Sequence, residues 1–134
     1  MGIEVILETT FLIDLERELL RGEAGAAQRL LERYASQPLY LTFTIAGELA
    51  AGVSLSDRAR WEELIAPFHV LACTHEVSWQ YGVTYRYLRQ QGLLIGGNDL
   101  WIAASALAYR MPLVTRNVEH YRRVPGIEVV GYPD

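Results

Sequence analysis

Lysine is absent from this chain of 134 residues, and all 12 basic residues are arginine. Cysteine occurs once, at Cys73, which excludes an intramolecular disulfide framework and a cysteine-based zinc site. A lone thiol fits a reducing compartment. No apolar run approaches the roughly 20 residues that span a bilayer, and no cleavable apolar leader precedes Glu4. A soluble, cytoplasmic protein with no membrane contact is therefore expected. Repeats and low-complexity tracts are lacking too, so the length implies one domain over 1–134. Folding at this size buries roughly two thirds of the extended-chain surface, enough for a core without metal or disulfide staples.

Excess positive charge is also missing. The formal net charge is −4, which argues against a broad nucleic-acid-coating surface. The balance is uneven, at −5 over residues 1–67 and +1 over 68–134. Arginine forks suit phosphate and carboxylate, so a local RNA-facing patch stays compatible with the composition.

Short apolar runs alternate with helical patterns. Ile3 to Leu7 is nearly continuous, as in a parallel strand covered on both faces. Phe11, Leu12, Leu15, Leu19 and Leu20 then recur at helical spacing and stop before Gly22. A second helix is expected from about Ala24 to Ala35, and a second strand from Leu39 to Phe43. Thr44 is expected to cap a helix to about Val53, and Ser56 another short one ending before Pro67. Phe68 to Leu71 reads as a strand, Thr74 to Gln91 as a long helix, and Asn98 to Tyr109 as an alanine-rich helix. Leu113–Thr115 and Ile127–Val130 are the last strands. Repeated βα units predict an α/β fold, a three-layer α/β/α sandwich with a central, mainly parallel sheet.

Such sheets place their chemistry beyond the carboxyl ends of the strands. Glu8 follows the first strand directly, although a first-turn acid is also favoured by the helix dipole. Glu48 lies among Ile45, Ala46, Leu49 and Ala50, one residue past the capping-box position. A carboxylate in the apolar part of a helix costs several kcal/mol, in order of magnitude, unless it is paired, hydrogen-bonded or bound to metal. A surface-facing Glu48 is the plain alternative. Asp99 follows Gly96, Gly97 and Asn98, where either Asn98 or Asp99 could simply cap a helix. Asn117 lies just past a strand and could be a plain turn residue. Brought together at one sheet edge, three carboxylates would repel without a cation, and all-oxygen ligands suit Mg²⁺ or Mn²⁺. His69, His75 and His120 lack ligand-like spacing, so surface or packing roles are expected for each. The Tyr81–Tyr85 stripe and Trp101 could stack on bases, but helical spacing favours packing.

With Val5-Ile6-Leu7-Glu8-Thr9-Thr10, Thr42-Phe43-Thr44-Ile45-Ala46-Gly47-Glu48-Leu49, Gly96-Gly97-Asn98-Asp99-Leu100-Trp101 and Leu113-Val114-Thr115-Arg116-Asn117 in that order, the chain resembles PIN-domain ribonucleases, especially VapC-type toxins. The resemblance implies that Glu8, Glu48 and Asp99 are metal ligands and Asn117 a fourth catalytic position. It implies that Thr9, Thr10 and Thr115 support the site. It further implies Mg²⁺- or Mn²⁺-dependent RNA cleavage, a homodimer, and a cognate antitoxin protein as partner. Arg86 and Arg116 are candidate phosphate clamps or solvated arginines. An apolar groove including Phe11, Leu12, Leu15 and Leu19 could receive an antitoxin, or could be ordinary core. One departure stands out: Glu8 occupies a position where the family pattern has Asp. The extra methylene moves the carboxylate by roughly 1 Å, so a weakened or inactive PIN-like interaction module is the competing expectation. A phosphatase or receiver-like domain would need a phosphate-accepting aspartate, and Asp14 lies within a helical run.

Overall fold

A computed structural model describes residues 3–34, 36–52 and 57–132. Five short strands, β1 (Val5–Leu7), β2 (Leu39–Thr42), β3 (His69–Leu71), β4 (Leu113–Val114) and β5 (Val129–Val130), form one sheet. Their order is β3-β2-β1-β4-β5, and every neighbouring pair is parallel. The expected three-layer α/β/α sandwich is therefore the fold. β1 runs through the middle, pairing with β2 on one side and β4 on the other. The chain order thus reverses beside β1, and the carboxyl ends of β1 and β4 flank the crevice there.

The strands are apolar because both faces are covered. Val5, Ile6, Leu7, Leu41, Leu113 and Val114 are all buried. Helices α1 (Thr9–Arg21) and α2 (Ala26–Arg33) join β1 to β2, and α3 (Phe43–Ala50) and α4 (Arg58–Ile65) join β2 to β3. Helices α5 (His75–Gln91) and α6 (Gly97–Tyr109) return the chain to β4, and α7 (Val118–Tyr121) leads to β5. The alanine-rich α6 packs closely, with Ile102, Ala103, Ala104 and Ser105 excluded from solvent. Trp101 stacks on Tyr81 at 4.0 Å between centroids and meets Phe43 edge-on. These aromatics knit α3, α5 and α6 together, as their spacing implied.

Several element ends differ from expectation. Thr42, not Thr44, caps α3, accepting from the Ile45 amide at 3.2 Å. β2 accordingly stops one residue before Phe43. The Thr44 hydroxyl is buried without a hydrogen-bond partner among the described residues. Asp57 caps α4 through the Ala59 amide, while Val53 and Ser56 lie outside the described residues, as does Ala35. The helix expected from Asn98 begins one residue earlier, with Gly96 at its N-cap and no side-chain capping bond. The one-turn helix α7 was not anticipated.

Helix α2 acquires its cap from a distance. Gly25 at its N-terminus has no side chain to offer, and the Glu18 carboxylate of α1 takes over. Glu18 accepts from the amides of Gly25, Ala27 and Gln28 at 2.8, 2.9 and 3.0 Å. A Cβ on residue 25 would stand 2.6 Å from Glu18 Cδ, so only glycine admits this approach. Burial pushes the Glu18 pKa up, but the three amides and the Arg21 charge more than reverse this, leaving it below the usual carboxylate range. A depressed native pKa contributes stability above the unfolded pKa that is lost as pH falls through the native one. Glu18→Ala should therefore lower stability at pH 7 by roughly 2–3 kcal/mol. Urea unfolding from pH 7 down to pH 3 checks this, and the difference from the parent should shrink below about pH 4.5.

Candidate active site

Glu8 is the first residue beyond β1, and its backbone N–H still donates to the Val114 carbonyl at 2.9 Å. It is also the N-cap of α1. The side chain is only 3% exposed, so its carboxylate must find donors inside the protein. Glu8 Oε2 accepts from the Thr10 amide at 2.8 Å, the Thr10 hydroxyl at 2.6 Å and the Thr115 hydroxyl at 3.1 Å. Thr115 is fixed in turn, its hydroxyl accepting from the Asn117 amide at 3.0 Å. The first-turn alternative for Glu8 is thus partly right, since it caps α1. Capping uses only one of its two oxygens.

The other oxygen faces a residue that the spacing did not single out. The Tyr121 hydroxyl lies 3.3 Å from Glu8 Oε1 and 3.1 Å from Asp99 Oδ1. A phenol has one proton for two carboxylate oxygens. The pair is therefore short of a donor, the condition that a cation or a further hydrogen-bond donor relieves. Tyr121 is fully buried. Burial, then the charges of Glu8 and Asp99, raise its pKa far above the ordinary phenol value of 10.0. It stays protonated.

Asp99 stands in the first turn of α6 but makes no capping bond, which removes the cap account of this residue. Its Oδ2 instead lies 2.8 Å from His120 Nε2. The expectation of a surface or packing role for His120 is corrected accordingly, whereas His69 and His75 are exposed as expected. The missed signal is α7: one helical turn after Asn117 swings His120 and Tyr121 back over the ends of β1 and α6. Side-chain exposure is 36% at Asp99, so the cluster runs from a dry floor at Glu8 to a wet mouth.

Glu48 joins this cluster through its neighbours. Thr9 Oγ1 donates to Glu48 Oε1 at 2.8 Å, and Asn98 Nδ2 reaches Oε2 at 3.4 Å. The residues after Glu8 and before Asp99 thus hold the second acid. Among the described residues, no three His, Cys, Asp or Glu side chains form a ready-made metal cluster. Threonine and asparagine donors, rather than each other, occupy the acids. Asn117 caps α7 in position only, its side chain making no capping hydrogen bond.

Arg116 turns away from the acids. Its backbone amide donates to Thr10 Oγ1, while Nη1 pairs with Asp14 at 2.9 Å. Asp14 also accepts from the Tyr132 hydroxyl at 2.7 Å. Both its oxygens are engaged, which leaves no free carboxylate for a phosphate-accepting role. Arg86 lies on α5, its guanidinium 5.8 Å from the centre of the exposed Trp79 ring.

A five-stranded parallel sheet with acids gathered at its switch point defines an α/β protein of the PIN type, and the PIN-domain family model matches residues 5–126. The chain belongs to the PIN-domain family, in its VapC-type toxin–antitoxin branch. It is 30% identical over 107 residues to ribonuclease VapC1 of Haemophilus influenzae strain R2866, covering 76% of this chain and 80% of that protein. Identity to ribonuclease VapC2 of Rickettsia felis is 31% over 88 residues, covering 62% of this chain and 66% of the relative. The fold matches that of VapBC2 from Rickettsia felis bound to a promoter DNA fragment, at a TM-score of 0.80 and 23% identity, over 98% of this chain and 100% of that one. VapBC-1 from nontypeable Haemophilus influenzae matches at 0.80 and 25% identity, over 96% and 98%.

Tyr121→Phe isolates the shared hydroxyl. Its removal should lower stability at pH 7 by about 1–2 kcal/mol, because the buried Glu8 carboxylate and the partly exposed Asp99 carboxylate lose their shared donor. A raised native phenol pKa means that the contribution is complete below pH 10 and fades as pH rises beyond it. The parent-to-variant difference in denaturant midpoint should accordingly narrow between about pH 9 and pH 11.

Proposed function

We propose that this chain is a Mg²⁺- or Mn²⁺-dependent endoribonuclease, the toxin of a toxin–antitoxin pair. The observation that carries this reading is the Tyr121 hydroxyl shared by Glu8 and Asp99, one proton short of satisfying both, at the switch point of a PIN-family sheet. Glu8, Glu48 and Asp99 are the residues that would hold the ion, and Asn117 would orient a water beside it. Bound there, a divalent ion supplies activated water and neutralises charge on the phosphoryl group. Thr10 and Thr115 hold the Glu8 carboxylate, and Thr9 and Asn98 hold that of Glu48. His120 positions Asp99 from its opposite edge. Attack by such a water would leave 5′-phosphate and 3′-hydroxyl ends.

Two surfaces suit the partners of such a toxin. Leu12, Leu15 and Leu19 of α1, with Leu49, Leu64 and Phe68, line an apolar groove of about 300 Å³ that would receive an antitoxin segment. Phe11, expected in that groove, is fully buried core instead. Trp79, Tyr85 and Tyr87 are exposed along α5, and a second copy of the chain would cover them in a homodimer.

A weakened or inactive interaction module is favoured by one specific observation. Glu8 Oε2 is consumed by three donors, so the longer side chain offers only Oε1 outward. Single-turnover cleavage of one RNA in saturating Mn²⁺ separates the two readings. Asp99→Asn should lose Mn²⁺ affinity by calorimetry and activity with it, while keeping its fold. Glu8→Asp should raise the rate if geometry limits catalysis, by up to about 100-fold. A parent and a Glu8→Asp variant that neither bind ion nor cleave would favour the interaction module. Sedimentation over micromolar concentrations should give a species of twice the 15.2 kDa chain mass.

A further inference from the structure

A second, polar cleft opens beside the acidic site. It measures about 460 Å³ and is walled by Arg17 and Arg21 of α1, Arg29 of α2 and Arg116 after β4, with Asp14 and Glu18 between them. Arg17 and Arg21 are one helical turn apart, so their side chains leave α1 on the same face. α2 packs against α1 and brings Arg29 opposite.

The two acids in this wall are already committed. Asp14 gives one oxygen to Arg116 and the other to the Tyr132 hydroxyl. Glu18 spends both oxygens on the amides that start α2. Arg116 is therefore neutralised by Asp14, but among the described residues no carboxylate lies within salt-bridge distance of Arg17, Arg21 or Arg29. On a chain of net charge −4, the four guanidinium groups lining this concavity outnumber its two carboxylates, Asp14 and Glu18, even though the Glu18 charge reaches Arg21. Their mutual repulsion is relieved by an anion with several charges along its length, which arginine forks bind in bidentate fashion.

The cleft is also tied to the catalytic edge. The Arg116 amide donates to Thr10 Oγ1, and the same hydroxyl holds Glu8 Oε2. Asp14, which orients the Arg116 side chain, lies one helical turn beyond Thr10 on α1. A strand bound at the acids would thus meet Arg116 first and the arginine wall a few nucleotides further on. Arg17 and Arg21 lie roughly 14 and 20 Å down α1 from Glu8, at about 1.5 Å rise per residue. We propose that the α1–α2 cleft binds the phosphodiester backbone of a single-stranded RNA a few nucleotides away from the scissile bond, with Arg17, Arg21 and Arg29 as its phosphate contacts. This inference rests on the nuclease reading for its substrate, and the acids and the arginines divide the work: one set would repel bare phosphate, the other attracts it.

The test is fluorescence anisotropy of a labelled single-stranded RNA oligonucleotide in EDTA, over a series of KCl concentrations. The triple variant Arg17→Gln/Arg21→Gln/Arg29→Gln should bind roughly tenfold more weakly, and its plot of log affinity against log salt should be shallower by about 2, from three lost phosphate contacts. Arg58→Gln/Arg89→Gln, on helices away from the cleft, should match the parent. Circular dichroism and an unchanged unfolding midpoint establish that the triple variant is folded. Equal affinity and salt slope in parent and triple variant would overturn the proposal. Pyrophosphate binding as tightly as the oligonucleotide would make this a site for a free small anion, which also overturns it. Loss of affinity for a polyglutamate peptide, with RNA binding unchanged, would assign the cleft to an acidic protein segment instead. Cleavage in Mn²⁺, measured separately, reports on the nuclease reading. Cleaving parent and triple variant with equal RNA affinity would remove the cleft alone, whereas binding through the cleft without cleavage would remove the nuclease alone.

Discussion

A buried carboxylate at the end of the central strand organises this molecule. Glu8 is 3% exposed and carries a charge that the interior tolerates only if it is hydrogen-bonded. Satisfying it recruits the start of α1 through Thr10, the end of β4 through Thr115 and the last turn of α7 through Tyr121. These segments come from opposite ends of the chain. Their meeting at one side chain locks β1 to β4 and holds α7 over the crevice, so the same bonds that keep the acid tolerable also build the candidate site.

From that floor the polar groups are graded by exposure. Tyr121 is dry, and Asp99 is partly wet and steadied by His120. Glu48 is supported by Thr9 and Asn98, the direct sequence neighbours of the other two acids. Support by hydroxyl and amide donors keeps like charges apart while leaving them on one edge. The acids can thus share one edge while, among the described residues, they form no compact cluster. Around them the charge changes sign: the α1–α2 wall is basic on a chain that is acidic overall. Such a local reversal is invisible to net charge.

Much of this was legible in the sequence because it rests on local rules. Short, mostly apolar runs marked all five strands, and Gly22, at positive φ, ends α1 as a helix-stopping glycine does. The acids at Glu8, Glu48 and Asp99 stood out by following strands or interrupting apolar stretches. Cap positions were less secure, since Thr42 and Thr44 are equally good caps by composition and only the length of β2 chose between them. The cap that Glu18 provides and the Asp99 contact of His120 are illegible in the sequence for a different reason. An acid within a helical run and a histidine in a polar tail look ordinary until another segment arrives beside them.

What the sequence determined by itself was the alternation of strand and helix, the parallel sheet, the family, and three conspicuous acids, one after β1 and two on helices. These depend on periodicity and on the order of short motifs, both local along the chain. Only the tertiary structure decided which donors those acids receive. It set Tyr121 between Glu8 and Asp99, turned Arg116 toward Asp14, lent the Glu18 carboxylate to α2, and gathered Arg17, Arg21 and Arg29 around one cleft. Each of those contacts except the Arg17–Arg21 pair joins residues that no helical or strand period relates. They arise because the packed layers leave a buried charge no nearer partner, and hydrogen bonding in a dry interior is satisfied across space rather than along the chain.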